Sequence, residues 1–365
     1  MSKVYFTDMR TSFMENLPKK LTRLIDRAGL GTIDFDHKFV AIKIHFGEMG
    51  NLAYLRPQYA RALAAYIKER GGLPFLTDCN TLYVGSRKNA LEHIETAYIN
   101  GYTPYATGCQ VIIADGVRGT DEAYIPIGCE EVKTAKIGRA IADADIIISL
   151  NHFKGHEDAG FGGALKNLGM GSGSRAGKME MHYDGKPVVD RDRCRGCRKC
   201  ATICANDGIH YENSKAVIDH DNCVGCGRCI AICSFDAIKP HNSSSEASLN
   251  RRIAEYAYAV VKDKPNFHIS IAADISPNCD CHPENDAPIV PNIGMFASFD
   301  PVAIDLAAAD AVNAMPANPR SALSEAECRC HDHFINVHPN TNWRVQIEHG
   351  EEIGLGSSEY ELIRI

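Results

Sequence analysis

No apolar run in the 365 residues approaches the roughly 18 needed to cross a bilayer. The start of the chain, Met1-Ser2-Lys3-Val4-Tyr5-Phe6, meets Thr7, Asp8 and Arg10 before the apolar core of a signal peptide can form. A membrane span and a secretory route are therefore not expected, and the expected compartment is the cytoplasm. A surplus of base is missing as well: 39 Lys and Arg stand against 46 Asp and Glu, a formal charge of −7. That balance removes nucleic acid and anionic membrane as expected partners. Two nucleotide signatures are also absent, the GK[ST] of a P-loop and the dinucleotide G-x-G-x-x-G with its acidic partner.

What the chain has in excess is cysteine, 15 residues in all. Because cytosolic thiols are kept reduced, such a number points to metal ligation or catalysis rather than to a disulfide framework. With 45% hydrophobic and 23% charged residues, the length suits a globular chain of about two to three domains.

Residues 1–150 alternate strand and helix signals. Strands are expected over 3–7, 39–46, 73–77, 110–114 and 145–150. Asn16 and Pro18 open one helix, Pro57 opens a second, and further helices are expected over 86–98 and 135–142. The pattern resumes after residue 242, with helices over 249–261 and 301–312, a strand over 267–273, and a helix and strand within 343–365. Strand-helix-strand steps require crossovers, so the expected fold is α/β, a mainly parallel sheet flanked by helices. Residues 1–185 and 242–365 together would form this body, and residues 186–241 a small inserted α+β unit. Residues 241–245 (HNSSS) read as its exit linker. From 152 to 185 periodicity fades and eight glycines fall between Gly155 and Gly177, which reads as a functional loop rather than a core element.

The inserted unit carries the clearest motif. Cys194-x2-Cys197-x2-Cys200-x3-Cys204 recurs as Cys223-x2-Cys226-x2-Cys229-x3-Cys233, each cysteine 29 positions after its counterpart. A C-x2-C-x2-C loop can wrap three corners of a cubane, and in the two-cluster arrangement the fourth ligand comes from the other run. Cys194, Cys197, Cys200 and Cys233 are thus expected to hold one [4Fe-4S] cluster, and Cys223, Cys226, Cys229 and Cys204 the other. Two zinc sites are the alternative, though zinc motifs rarely show eight cysteines in this doubled spacing. The region resembles the bacterial dicluster ferredoxins, with Ala205 and Ser234 where those proteins usually carry proline. Arg195, Arg198 and Lys199 lie in the first loop and only Arg228 in the second, so the first cluster is expected to have the higher reduction potential.

Strand ends supply the other candidates. Lys43 and His45 share one face of their strand by period two, with Glu48 and Arg56 beyond. The strand ending at Leu150 runs into Asn151, His152, Lys154, His156, Glu157 and Asp158, then Gly160, Gly162, Gly163, Lys166 and Asn167. Ligands gather at the carboxyl ends of strands in open α/β sheets. Lys154, His156, Lys166, Lys43 and His45 are therefore the candidate catalytic groups, and Gly160, Gly162, Gly163 and Asn167 the candidate cofactor-binding groups, whose amides can approach an anion. Two C-x-C pairs, each followed by histidine, are Cys279/Cys281 with His282 and Cys328/Cys330 with His331 and His333. Either pair is a candidate for metal or redox chemistry, the first more than the second, and Cys279 and Cys281 join the eight cysteines as candidate metal ligands. Cys79, Cys109 and Cys129 read as plain thiols.

The segments NHFKGH at 151–156, GALKNL at 163–168, CDC at 279–281, FASFDPVAID at 296–305 and GLGSSEYELI at 354–363 resemble a family of uncharacterised Fe-S centre proteins, domain of unknown function 362. Members of that family are often interrupted by a ferredoxin module. The resemblance implies the architecture and a shared site at Lys154, His156, Lys166, Asn167, Cys279 and Cys281, and no particular reaction. The expected function is an iron-sulfur oxidoreductase. Two [4Fe-4S] clusters would relay single electrons from a soluble redox partner protein to a small anionic substrate, or to a cofactor such as a flavin or a further metal, in a Gly/Lys/His-lined pocket. The alternatives are a non-catalytic electron carrier that docks a partner enzyme, and a metal or cluster handling protein that uses the C-x-C pairs.

Overall fold

The structure, a computed structural model, describes residues 1–365 except Val84, Asp184, Gly185, Val224 and 241–245. The expected exit linker therefore lies outside the described residues.

Eight strands form the central sheet: β1 (Ser2–Asp8), β2 (Phe39–Lys43), β3 (Leu73–Asp78), β4 (Gln110–Ile113), β5 (Ile146–His152), β6 (Asn266–Ala272), β7 (Gly294–Ser298) and β8 (Tyr360–Arg364). Their spatial order is β8-β1-β7-β6-β5-β2-β3-β4. Only β7 runs against its neighbours β1 and β6; every other pairing is parallel. The architecture is thus α/β with a mostly parallel sheet. β5 is buried at all seven positions, as its Ile146-Ile147-Ile148 run requires of a strand covered on both faces.

Helices cover the two faces. On one lie α1 (Leu17–Arg27), α2 (Pro57–Lys68) and α3 (Ala90–Ile99), whose apolar stripes meet Val40, Ile42, Ile146 and Ile148. On the other, α4 (Ala164–Ser172), α6 (Glu246–Val261), α7 (Pro301–Asn313) and α8 (Arg344–Glu352) meet Ala41 and Ile147, with α5 (Arg175–Tyr183) following directly on α4. The helix starts follow capping chemistry: Asn16 accepts from Lys19 N at 3.1 Å, and Asp300 accepts from Val302 N and Ala303 N at 2.9 Å, with Pro301 in the first turn.

Two expectations are corrected. The glycine-rich segment is not a surface loop: α4 is a core helix with Leu165 and Leu168 fully buried. Its glycines permit close helix approach, since a Cβ at Gly169 would fall on the Ile253 carbonyl oxygen of α6. The helix expected over 135–142 is instead a strand, Thr134–Gly138, paired antiparallel with Glu122–Pro126, followed by one short helix, Arg139–Asp143. No helix among the described residues is long and apolar enough to cross a membrane.

The strand order also sets where a ligand would sit. From β2 the chain moves outward through β3 and β4, then returns to β5 on the other side of β2 and continues through β6 and β7. Between the carboxyl ends of β2 and β5 the order reverses, which in open α/β sheets opens the crevice that takes ligands.

Candidate functional site

A cavity of about 670 Å³ occupies that crevice, within the size range of small-molecule sites. Lys43 and His45 reach it from the end of β2, Asp78 and Cys79 from β3, Asn151, His152, Lys154 and His156 from β5 and beyond, and Lys166 and Asn167 from α4. Cys279 and Cys281 close one side. The structure therefore brings the five candidate catalytic groups and the first C-x-C pair around one space.

The charges in it are paired. The fully buried Lys43 ammonium meets Asp78 at 2.9 Å and Asn167 Oδ1 at 3.0 Å, while Asn167 Nδ2 donates to Lys43 O and Ser149 Oγ, both at 2.9 Å. Burial pulls Lys43 below its ordinary pKa, against the attraction of Asp78. Burial pushes Asp78 up, but Lys43 and the histidines beside it outweigh that effect and hold the carboxyl well below its usual range. Arg87 spans to Glu48 at 3.1 Å and to His45 at 3.0 Å. Burial and then Arg87 pull His45 down to about 3, so its ring is neutral. On the β5 side, Asp280 takes His152 Nδ1 at 3.0 Å and Lys154 at 3.4 Å. Burial raises Asp280, yet His152 and Lys154 hold it well below the carboxylate range.

Around Cys279 the arrangement differs. Lys166 Nζ donates to its Sγ at 3.3 Å, and the Cys281 amide donates to the same sulfur at 3.4 Å. His156 Nδ1 accepts from the Asp158 and Ala159 amides at 3.0 and 3.1 Å, which leaves Nε2 as the nitrogen that carries the proton in the neutral ring. The hydrogen bond from Cys281 holds Cys279 well below the ordinary thiol pKa, against burial, with Lys166 and His156 adding to the effect. Cys281 is pushed well above it by Cys279 and by burial. A ring nitrogen of His156 and the two sulfurs lie within 4.8 Å of one another, a donor set that can hold a metal ion.

The glycine turn leads directly into a buried carboxylate contact. Asp305 Oδ1 and Oδ2 accept from Ala164 N at 2.6 Å and Leu165 N at 2.8 Å, so the first amides of α4 serve a buried carboxylate of α7. Burial pushes that carboxyl up to about 7. Gly163 has no room for a side chain because its Cβ would fall on Asp305. Gly162 and Gly163 line the cavity, whereas Gly160, at φ +84°, turns the chain beneath Trp343. Arg56 pairs with Asp274 at 3.3 Å, away from the cavity. Cys328 and Cys330 are exposed, and among the described residues no ligand grouping joins them to Cys279 and Cys281. Sequence reasoning missed Asp280 and Asp305; Asp280 had a signal, its place between two singled-out cysteines.

Glu157 accepts from His282 Nε2 at 2.8 Å. That hydrogen bond, opposed by burial, raises His282 to about 9 from its ordinary 6.5. The stabilisation is complete below pH 6.5 and is lost as the pH rises through 9, and it is modest because the side chain is 38% exposed. NMR titration of His282 should give a midpoint near 9, returning toward 6.5 in Glu157→Gln; an unchanged midpoint would refute the pairing.

The eight other cysteines form two sets. Cys194, Cys197, Cys200 and Cys233 line one small pocket together. In the second set, burial and the neighbouring Cys226 and Cys204 raise Cys223, and burial with Cys226 and Cys223 pushes Cys229 up to about 12. The 29-residue repeat is repeated in the backbone. Left-handed Arg198 (φ 64°) and Gly227 (φ 65°) precede one-turn helices Lys199–Ile203 and Arg228–Ile232, and Gly208 N and Ala237 N donate to Cys204 Sγ and Cys233 Sγ at 3.3 Å. A group of four thiols with amide donors aimed at sulfur is a soft set of the kind iron-sulfur clusters take.

Residues 40–310 match the family model described as a domain of unknown function, DUF362. The chain belongs to this family. The DUF362 segment runs from β2 into α7, and so includes both the cysteine-rich unit and every residue named around the cavity. No curated protein matches the sequence. Among solved structures, the chain is similar to the lactate racemase apoprotein from Thermoanaerobacterium thermosaccharolyticum, with a TM-score of 0.42 and 11% identity over 75% of this chain and 51% of that one. It is also similar to a structural-genomics protein from Thermotoga maritima, with a TM-score of 0.39 and 12% identity over 80% of this chain and 56% of that one. The chain spans about half the length of these structures.

Proposed function

We propose that this DUF362 protein is an iron-sulfur oxidoreductase. Cys194, Cys197, Cys200 and Cys233 hold one [4Fe-4S] cluster, and Cys204, Cys223, Cys226 and Cys229 hold the other, in an inserted ferredoxin-like module over 186–241. When bound, the clusters supply single electrons drawn from a soluble redox partner protein. The cavity receives a small anionic substrate or a bound cofactor, with Lys43, Lys154 and Lys166 as its electrostatic groups and His156 as the group that carries a proton.

One observation carries this reading: the side chain of Leu82 belongs both to the cavity and to the apolar cluster of the cysteines. Leu82 lines the cavity and packs in the same apolar cluster as Cys194, Cys200 and Cys229. Met179 of α5 packs there too, and three residues later His182 lines the cavity. A carrier without chemistry of its own has no use for such an enclosed, charged space beside its redox groups. A second reading, metal handling, draws support from the grouping of His156, Cys279 and Cys281.

Protein purified without oxygen should contain about eight iron and eight acid-labile sulfide per chain, and on reduction should give the magnetic resonance signal of two interacting [4Fe-4S] clusters. Zinc at about two per chain, with no sulfide, would overturn the proposal.

A further inference from the structure

We infer that Cys279 and Cys281 are a redox-active dithiol, the two-electron station of the cavity, and that its substrate is a small anionic disulfide. The surroundings of Cys279 are those of an attacking sulfur. Lys166 Nζ lies 3.3 Å from its Sγ, the Cys281 amide 3.4 Å, and a ring nitrogen of His156 lies within 4.8 Å of both sulfurs.

Cys281 supplies the second thiol. Its sulfur lies within 4.8 Å of Cys279 Sγ, and two residues along a chain stay within the Cα separation a disulfide tolerates. A ring closed over Asp280 alone is strained, which places the pair among labile, catalytic disulfides rather than structural ones. Asp280 itself is locked by His152 and Lys154, so the turn that presents both sulfurs is held from below.

The substrate class follows from access and charge. Cys279 is 2% exposed, so a disulfide on a protein surface cannot reach it, whereas the cavity admits a small molecule. Its lining carries Lys43, Lys154, Lys166, Lys178 and Arg87 against Asp78, Glu157 and Asp158. Lys178 donates to the Gly173 carbonyl at 2.7 Å.

The exchange balances. The Cys279 thiolate attacks one sulfur of the substrate disulfide, forming a mixed disulfide and releasing one substrate thiolate. Cys281, giving up its proton, then displaces the second substrate thiolate and closes the Cys279–Cys281 disulfide. The dithiol is oxidised by two electrons, and the substrate is reduced to two thiols. The pair is reset by two single electrons and two protons; this reset alone rests on the iron-sulfur reading above, while the exchange stands without it.

The test uses the whole chain under anaerobic conditions with 5,5′-dithiobis(2-nitrobenzoate), itself a small anionic disulfide. After reaction and alkylation, the peptide containing residues 279–281 should appear unalkylated and two mass units lighter, the signature of an internal disulfide. In Cys281→Ser the reaction should stop with nitrobenzoate thiol attached to Cys279. Lys166→Gln, which removes the ammonium 3.3 Å from Cys279 Sγ, should slow the first step about ten-fold. The inference is overturned if both cysteines remain alkylatable after treatment, or if they are masked by one stoichiometric metal that Cys279→Ser releases. Iron content measured on the same samples separates this result from the cluster reading. A protein without iron whose 279–281 peptide still closes keeps the dithiol and loses the clusters.

Discussion

Arg175→Ala is expected to lower the unfolding free energy by about 4 kcal/mol, from orphaned carbonyls and a lost buried charge. The side chain is fully buried at the start of α5, where three parts of the molecule meet. Its Nε donates to Arg118 O and its Nη1 to Thr81 O, both at 3.0 Å, and Nη2 donates to Lys88 O. Its methylenes lie against Gly227, where a Cβ would stand 2.8 Å from Arg175 Cγ. One guanidinium thus ties the carbonyls of Thr81, Lys88 and Arg118 to α5, while its methylenes pack against the second cysteine run at Gly227. Alanine leaves three carbonyls without donors and removes one of the two positive charges, with that of Lys178, that oppose the rise of Asp115, a carboxyl pushed up to about 6 mainly by burial. Lysine keeps a charge but cannot reproduce the planar fork, so Arg175→Lys should recover less than half of the loss. Denaturant titration of the three proteins decides the matter. A loss below about 1 kcal/mol for Arg175→Ala would mean that water replaces the guanidinium and that these carbonyls are not held through it.

The same residue shows where sequence reading stops. Arg175 falls in the segment of eight glycines, and nothing within that segment reveals that its partners are carbonyls at Thr81, Lys88 and Arg118. Strands were legible because alternation and apolar runs are local: Val40 and Ile42 turn to one helix layer and Ala41 to the other. Lys43 and His45 were legible for the same reason, as the next residues on the alternation at a strand end. What surrounds them was not. Asp78, Arg87 and Asn167 reach Lys43 and His45 from three other segments, and their convergence depends on the strand order rather than on any spacing. The glycines at 160–177 showed freedom of the backbone but not its use, which is to let α6 and the Asp305 carboxylate come close to α4. The ribbon strand Thr134–Gly138 was mistaken for a helix because its small residues and Ile137 fit either period; its pairing with Glu122–Pro126 decides the outcome.

If the cysteine module holds the clusters proposed for it, removing their iron should unfold the module and leave the α/β body standing, the largest structural effect expected of any single treatment. Apart from its cysteines, the apolar cluster inside the module is small: Ala216, Ile230, Ala237 and Ile238 are its buried members, with Leu82 and Met179 lent by the body. Among the described residues its remaining secondary structure is two short ribbons, Ile209–Glu212 with Lys215–Ile218 and Pro187–Val189 with Ile238–Pro240, and two one-turn helices. A unit of this size rarely supplies enough burial to hold itself without a staple, and where metal is the staple its binding free energy is folding free energy. The body has no such dependence. β5 and β6 pair directly across the chain interval that holds the module, from Asn266↔Ile147 to Ile271↔His152, and β1 and β7 close the sheet beyond them. Iron-free protein, prepared with a chelator and reductant, should therefore be cut rapidly by protease within 190–240 while the fragments on either side stay associated and melt together. Iron-loaded protein should resist cleavage there. Equal resistance of that segment with and without iron would show that the module folds on its apolar contacts alone, and would remove the metal from any structural role.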